Sequence, residues 1–275
     1  MPTKIMPDGT GLYYEDFGTG VPIVFVPSGN ATHAMWEEQV VALAPGHRVI
    51  TIDWRGTGKS DRPRDGYTAE QVVDDVASLV RDIVGGPAIF VGHGMGGHIA
   101  LLAAHRYPEL VSGIGVASSG PWYCGDRDGK QGGMSQEFVE SSASGTGLSY
   151  TDVLANMTDT LLFRTPVSEM TRTATILQQL EWPLYVLDQY DLAMRELDHR
   201  DYLPSLTQPA VVLHGRHDAK QRFEGAGVLV EELPNAELVV FENSAHCPHA
   251  EETDKFNSAL ADLIARVEAL AYTDA

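Results

Sequence analysis

The sequence is poor in cysteine and in basic residues, and each shortage excludes a class of protein. Its 275 residues include two cysteines, Cys124 and Cys247. Two cysteines imply no disulfide framework, so we expect a reducing, cytoplasmic compartment. Lysine and arginine number 19 against 38 aspartates and glutamates, which gives a formal net charge of −19. Nucleic acids and anionic membranes attract basic surfaces, so we expect neither of them as a partner.

Long hydrophobic runs and an amino-terminal signal pattern are lacking as well. No apolar stretch reaches the roughly 18 residues that a membrane span needs, and residues 1–10 show no charged segment followed by an apolar one. A chain of this length can bury roughly three quarters of its surface without disulfides or metals. We therefore expect a globular cytoplasmic protein that acts on a small molecule, and we leave its oligomeric state open.

Apolar runs of strand length alternate with stretches of helical periodicity over most of the chain. The run Val24, Phe25 and Val26 is typical of a strand that is buried on both faces. Thr68 and Gln71 have the spacing of a capping box and precede a stretch of helical period. Such alternation indicates a mainly parallel sheet with helices on both faces.

The alternation stops in the middle of the chain. Residues 124–147 are rich in glycine, serine and aspartate and are predicted as loop, and three helical stretches follow them. Strand-like runs return after Pro209. We therefore predict a core of residues 1–120 and 207–275, with residues 121–206 inserted as a helical lid.

The most informative motif lies between Val91 and His98. It reads Val-Gly-His-Gly-Met-Gly-Gly-His, follows a strand-like run and opens a helix-like one. In a G-x-S-x-G elbow the central residue occupies a strained turn between strand and helix, and small flanking residues let the turn close. Gly92 and Gly96 hold the flanking positions here. The centre is Gly94, which has no side chain and cannot act as a nucleophile.

This segment resembles the nucleophile elbow of the α/β-hydrolase superfamily, with glycine in place of serine. Four further motifs resemble that family and follow one another in the expected order. Ser28-Gly29-Asn30 resembles its oxyanion loop, and residues 53–61 resemble its D-x-R-G-x-G-x-S-D loop. Residues 213–218 resemble the strand end that carries the acid, and residues 243–252 resemble the segment that carries the histidine. The resemblance covers nearly the whole chain. It implies an α/β-hydrolase fold with an inserted helical lid, similar to esterases, lactonases and proline iminopeptidases.

The resemblance also implies a role for each motif. Gly94 holds the nucleophile position, His246 would be the general base and later the acid, and Asp218 would orient its imidazole. The backbone N–H groups of Asn30 and Met95 would form the oxyanion hole. Residues expected to line the substrate pocket are Ser28, Gly29, His93, Trp122, Phe163 and Trp182. No cofactor and no metal is implied, because no phosphate-binding glycine motif and no spacing of converging ligands is evident.

The missing serine leaves three hypotheses open. An engineered replacement of serine by Gly94 in an active hydrolase explains why every partner of the serine is still present. A natural enzyme could instead use His246 as a base without covalent catalysis, or a pseudo-enzyme could bind a ligand. Cys247 and Ser28 are weaker candidates for a substitute nucleophile. For an active parent we expect hydrolysis of a small ester, lactone or amide through an acyl-enzyme, and hydrolysis of carbon–carbon bonds stays open.

Overall fold

The computed structural model describes residues 2–134 and 149–273. The strands within these residues are Thr3–Ile5 (β1), Gly11–Phe17 (β2), Pro22–Val26 (β3), Arg48–Ile52 (β4), Ala88–His93 (β5), Val111–Ala117 (β6), Asp126–Arg127 (β7), Lys130–Gln131 (β8), Ala210–Gly215 (β9) and Ala236–Phe241 (β10). The α-helices are Glu37–Leu43 (α1), Ala69–Leu79 (α2), Met95–Arg106 (α3), Tyr150–Met157 (α4), Glu169–Leu180 (α5), Leu184–Met194 (α6), Glu224–Glu232 (α7), Pro248–Glu251 (α8) and Thr253–Thr273 (α9). Short 3-10 or π-helical segments are His33–Trp36, Val80–Val84, Pro108–Leu110, Thr158–Leu162 and Leu203–Ser205.

Eight of the strands form one sheet in the order β1-β2-β4-β3-β5-β6-β9-β10. Strand β2 is antiparallel to both of its neighbours, and every pair from β4 to β10 is parallel. The α/β fold with a mainly parallel sheet, predicted from the alternation of strand-like and helix-like runs, is thereby confirmed. Parallel strands end at the same edge of a sheet, so the loops that follow them meet there.

The sheet is buried on both faces, which explains the uninterrupted apolar runs of its central strands. Val24 and Val26 of β3 face a core that includes side chains of α2 and α3. Ile23 and Phe25 of the same strand face a second core that includes α1 and α9. Successive side chains of a strand point to opposite faces, so one strand contributes to both cores.

The segment between β6 and β9, residues 118–209, is here called the insertion, and it contains α4, α5 and α6. It docks on the loops of the sheet edge, because the Trp182 indole N–H donates to the carbonyl of Ala31 at 2.7 Å and the Tyr190 hydroxyl donates to that of Arg55 at 3.1 Å. No helix within the described residues is both long and apolar enough to cross a bilayer.

The prediction of loop throughout residues 124–147 is partly wrong. Strands β7 and β8 pair there as a two-residue hairpin around Asp128 and Gly129. Both turn residues have positive φ, 53° and 74°, and Asp-Gly favours such a turn, which closes antiparallel strands. The Asp-Gly pair of the sequence favours this hairpin, whereas the glycine, serine and aspartate content of the whole segment favours loop. Residues 135–148, the rest of that predicted loop, lie outside the described residues.

A buried ion pair fixes the loop that follows β4. The guanidinium of Arg55 donates two hydrogen bonds of 2.6 Å to Asp75 on α2, and the two side chains are 1% and 3% exposed. Burial raises the pKa of Asp75 although Arg55 opposes that shift. Burial of the Asp75–Arg55 pair therefore costs desolvation free energy, and loss of one partner leaves the other charge buried.

We predict that Asp75→Ala lowers the free energy of unfolding by about 3–5 kcal/mol, the usual cost of removing one partner from a buried pair. Urea denaturation of both forms measures the difference. The control is Glu242→Ala, which breaks a similar two-bond pair with Arg216 at the surface and should leave the denaturation midpoint unchanged. Equal effects of the two substitutions would show that burial does not decide the strength of these pairs.

Candidate active site

Four strand ends bring the sequence-predicted site segments together. Ser28 to Asn30 follow β3, Gly94 follows β5, Asp218 lies three residues beyond β9, and His246 lies five residues beyond β10. All four strands are parallel, so these segments share the carboxyl edge of the sheet, where ligands bind in open α/β sheets.

Gly94 occupies a tight turn between β5 and α3. Its φ of 52° and ψ of −118° are rarely adopted by residues with a side chain, and its N–H donates to the carbonyl of Ala117 at 2.9 Å. A Cβ atom on Gly92 would lie 1.9 Å from the carbonyl oxygen of Gly96, and one on Gly96 would lie 2.3 Å from that of Val26. Glycine is therefore required on both sides of the turn, as the elbow pattern predicts.

Asp218 and His246 form a hydrogen-bonded pair. Nδ1 of His246 lies 2.8 Å from Oδ2 of Asp218, and Oδ1 accepts the backbone N–H groups of Lys220 and Gln221 at 2.9 Å each. Burial raises the pKa of Asp218 to about 6, against the opposing effects of His214 and of these backbone hydrogen bonds. Burial also lowers the pKa of His246 well below its usual range. The pair therefore holds a neutral imidazole beside a carboxylate at neutral pH.

The other ring nitrogen of His246 faces residue 94. Nε2 is buried and has no hydrogen-bond partner among the described residues. A Cβ atom on Gly94 would lie 3.5 Å from this Nε2 and 2.6 Å from Oγ of Ser28. A side chain at position 94 would thus start within reach of His246, provided that the Ser28 hydroxyl rotates away.

Two cavities, of about 340 and 580 Å³, meet at His246. His246 and Asn30 line both of them. Ser28, His93 and Phe163 line the smaller cavity.

Of the other residues predicted at the site, Gly29 lines both cavities, and Gly94 and Met95 line the larger one. Helices α4 and α5 of the insertion contribute residues opposite the sheet edge, so any ligand in these cavities would lie between the insertion and the strand ends.

The prediction that Trp122 and Trp182 line the pocket is wrong for both cavities. Each indole is completely buried. The N–H of Trp122 donates to the carbonyl of Gly125, and Trp182 packs between Trp54 and Tyr190. Trp122 is thus bonded within the insertion, and Trp182 joins the insertion to the loops after β3 and β4. Neither ring is among the residues that line the cavities.

Lys220 is a site residue that the sequence analysis missed. It lines both cavities beside His246, and burial lowers the pKa of its ammonium group. The sequence signal that could have identified Lys220 is its position two residues after Asp218. In the structure, the carboxylate of Asp218 accepts the backbone N–H of Lys220. A lysine here places a cationic group at the junction of the cavities.

Two further histidines lie beneath the pair. Nε2 of His93 donates to the carbonyl oxygen of His246 at 2.6 Å, and the ring of His249 packs at 5.0 Å from that of His93. Burial lowers the pKa of His249 to about 4. No ligand spacing in the sequence predicts a metal site, yet the fold brings His93, Cys247 and His249 together.

The carboxylate of Glu251 joins the insertion to the His246 loop. Oε1 accepts the N–H groups of Arg164 and Thr165 at 2.6 and 2.7 Å, and Oε2 accepts the N–H of Ala245 at 2.7 Å. One side chain therefore holds both the residues after Phe163 and the residue before His246.

Comparisons with known proteins identify the family of the chain. The family described as the alpha/beta hydrolase fold matches residues 21–253. The AB hydrolase superfamily protein YisY of Bacillus subtilis is 32% identical over 253 residues, which span 91% of this chain and 94% of that protein.

Solved structures give the same result. An esterase from Exiguobacterium antarcticum is 29% identical, with a TM-score of 0.89 and coverage of 97% of this chain and 98% of the other. A bromoperoxidase from Bacillus anthracis is 27% identical, with a TM-score of 0.88 and coverage of 95% and 98%.

We predict that Asp218→Asn becomes more stable relative to the parent chain as the pH rises. The pKa of Asp218 is raised from 3.8 to about 6 in the fold, so its contribution to stability is fully present below pH 3.8 and is lost as the pH rises through about 6. The difference in unfolding free energy should grow by about 3 kcal/mol across this range. Urea denaturation of both forms at pH 4, 5, 6 and 7 measures it, and a constant difference would contradict the raised pKa.

We predict that Glu251→Ala speeds hydrogen exchange on both sides of its bridge. Hydrogen bonds to a charged group contribute about 1.5–3 kcal/mol, so the amides of Arg164, Thr165 and Ala245 should exchange about tenfold to a hundredfold faster. Exchange measured by mass spectrometry or NMR reads these amides directly.

The control is Glu252→Ala, because Glu252 accepts hydrogen bonds from Asn243 and Ser244 and none from the described residues of the insertion. This variant should loosen the His246 loop while Arg164 and Thr165 stay protected. Faster exchange at residues 164–165 in the control would show that the two segments communicate by another route.

Proposed function

The chain belongs to the α/β-hydrolase fold family, and from that premise we propose that it is the scaffold of a serine hydrolase for small esters, lactones or amides. In this proposal Gly94 stands where the nucleophilic serine belongs, and the chain as written is a very poor hydrolase. We propose further that the glycine is an engineered replacement.

One observation carries the proposal: a Cβ atom on Gly94 would lie 3.5 Å from Nε2 of His246. That nitrogen is buried and unpartnered among the described residues, while the opposite nitrogen is bonded to Asp218. A hydroxyl at position 94 would meet a base that is already oriented for it. The retained turn, with a φ of 52° at Gly94, supports the same conclusion, because nothing about the glycine itself requires that conformation.

With serine at position 94, the chemistry would be acyl transfer. The hydroxyl would attack the substrate carbonyl while Nε2 of His246 accepts its proton, and Asp218 would stabilise the resulting imidazolium. The N–H groups of Asn30 and Met95 would bind the oxyanion. His246 would then protonate the leaving group, and water activated by the same nitrogen would release the acyl group.

The cavities support a small, mostly apolar substrate with a polar end. Leu154, Met157 and Leu187 line the larger cavity, together with Tyr150, whose buried hydroxyl has no hydrogen-bond partner among the residues that the structure describes. Lys220 at the junction would favour a carbonyl or carboxylate oxygen close to the reacting bond. We propose that the insertion acts as a lid over both cavities, with residues 121–206 as its extent.

A second candidate function uses the chain as written. His246 would activate water directly, since Gly94 puts no side chain next to its unpartnered nitrogen. This candidate requires turnover by the glycine form that depends on His246, whereas a ligand-binding pseudo-enzyme requires binding without turnover in either form.

We predict that Gly94→Ser raises ester hydrolysis by at least about 10⁴-fold, the order of magnitude lost when a catalytic serine is removed. Assays with a panel of p-nitrophenyl esters give the rate, and intact mass after a phosphonate probe should show one covalent adduct. The introduced side chain adopts a strained φ, so the free energy of unfolding should fall by about 1–3 kcal/mol.

Gly94→Ala is the matched control, because it carries the same strain without a hydroxyl and should show neither turnover nor adduct. Gly94→Ser combined with Ser28→Ala removes the nearest competing hydroxyl and should remain active. If Gly94→Ser gains no activity while it still folds, the acyl-enzyme proposal is wrong. Turnover by the unmodified chain that His246→Ala abolishes would instead support water activation.

A further inference from the structure

Three buried side chains below His246 form a group that the acyl-transfer chemistry does not use. His93 ends β5, and Cys247 and His249 follow His246. One ligand atom from each, a ring nitrogen or the sulfur, lies within 4.8 Å of the other two. Two imidazoles and one thiol are the donor set that zinc prefers.

The nitrogens available to a ligand are unpaired. Nδ1 of His93 and Nδ1 of His249 are both buried and have no hydrogen-bond partner among the described residues, and the two side chains belong to residues that are 1% and 5% exposed. Leaving a buried polar atom unpaired costs about 1–3 kcal/mol. Two unpaired nitrogens within one group of three neighbouring side chains therefore need an explanation, and a shared metal ion supplies one.

The imidazoles are also held in a state that suits a metal. Nε2 of His93 donates to the carbonyl oxygen of His246, which leaves Nδ1 with its lone pair and fixes the ring orientation, as outer hydrogen bonds do for metal-ligating histidines. Burial lowers the pKa of both histidines, so neither competes for a proton at neutral pH.

The smaller cavity provides access to the group. His93, Cys247 and His249 all line it, and the exposed carboxylates of Glu37 and Glu38 lie on the same cavity. Acidic groups along an entry path raise the local concentration of cations. A chain of net charge −19 adds to that attraction.

We propose that His93, Cys247 and His249 bind one zinc ion, with its fourth coordination position open to the smaller cavity. On binding, the Cys247 thiol loses its proton to solvent and a sulfur–zinc bond forms, while each histidine contributes a nitrogen lone pair. Ligand distances of about 2.3 Å for sulfur and 2.0–2.1 Å for nitrogen require the three side chains to draw slightly closer together.

The test uses the full chain after dialysis against a chelator. Metal analysis after incubation with Zn²⁺ should give one zinc per chain. Anaerobic titration with Co²⁺ should give the near-ultraviolet absorption of a thiolate–cobalt bond together with the visible bands of tetrahedral cobalt. Cys247→Ser and His249→Gln should each weaken the affinity at least about a hundredfold, beyond the loss expected for a group that only supports a ligand.

Cys124→Ser is the matched control, because it removes the other cysteine, which lies outside this group, and should leave the titration unchanged. X-ray absorption of the zinc-loaded parent chain needs no variant and should count one sulfur and two nitrogens from the protein. A stoichiometry far below one zinc per chain, a cobalt spectrum without the thiolate band, or a zinc shell with oxygen in place of sulfur would overturn the proposal.

Discussion

The whole site depends on how closely the chain can approach itself where β5 turns into α3. A Cβ atom at Gly92 or Gly96 would overlap a backbone oxygen, so only a chain with glycine at both positions lets the helix begin directly against β3. That contact fixes position 94 at the carboxyl edge of the sheet, opposite the loop that ends β10. His246, Asp218 and the loop after β3 are then brought to the same edge by strand ends that parallel pairing already holds together.

The titratable side chains packed next to this turn cost free energy to bury. Asp218, His246, His93 and His249 are all buried, and their pKa values move toward the neutral form of each group. The cost can be carried because the sheet buries an apolar core on each face, and because Asp218 keeps two backbone hydrogen bonds. Apolar side chains of similar size at these positions would give a more stable fold. The presence of polar groups there is therefore better explained by a chemical role than by a contribution to stability.

The sequence was sufficient for those parts of the molecule that depend on local pattern. It predicted the strands that are buried on both faces, the small residues around Gly94 and the order of the Asp218 and His246 segments. It failed where the direction of a side chain decides. Aromatic residues of the insertion were expected at the pocket, but the N–H of Trp122 donates to Gly125 within the insertion and that of Trp182 donates to Ala31 in the loop after β3. Lys220 was missed because a lysine beside an acid usually faces solvent. His93 lies more than 150 residues from Cys247 and His249, and no spacing rule can join such distant positions.

Glu251 joins two separate segments of the chain beside His246. Its two oxygens hold the insertion and the loop of His246 at the same time, and the backbone N–H of Cys247 donates to the carbonyl of Leu162. Outward movement of the insertion near Phe163 must therefore either break these bonds or pull the imidazole away from residue 94. If the chain acts as proposed, admission of a ligand and alignment of His246 are mechanically linked, and a bulky ligand that wedges the insertion open would lower its own reactivity. Selection by size would then occur at the chemical step as well as at entry.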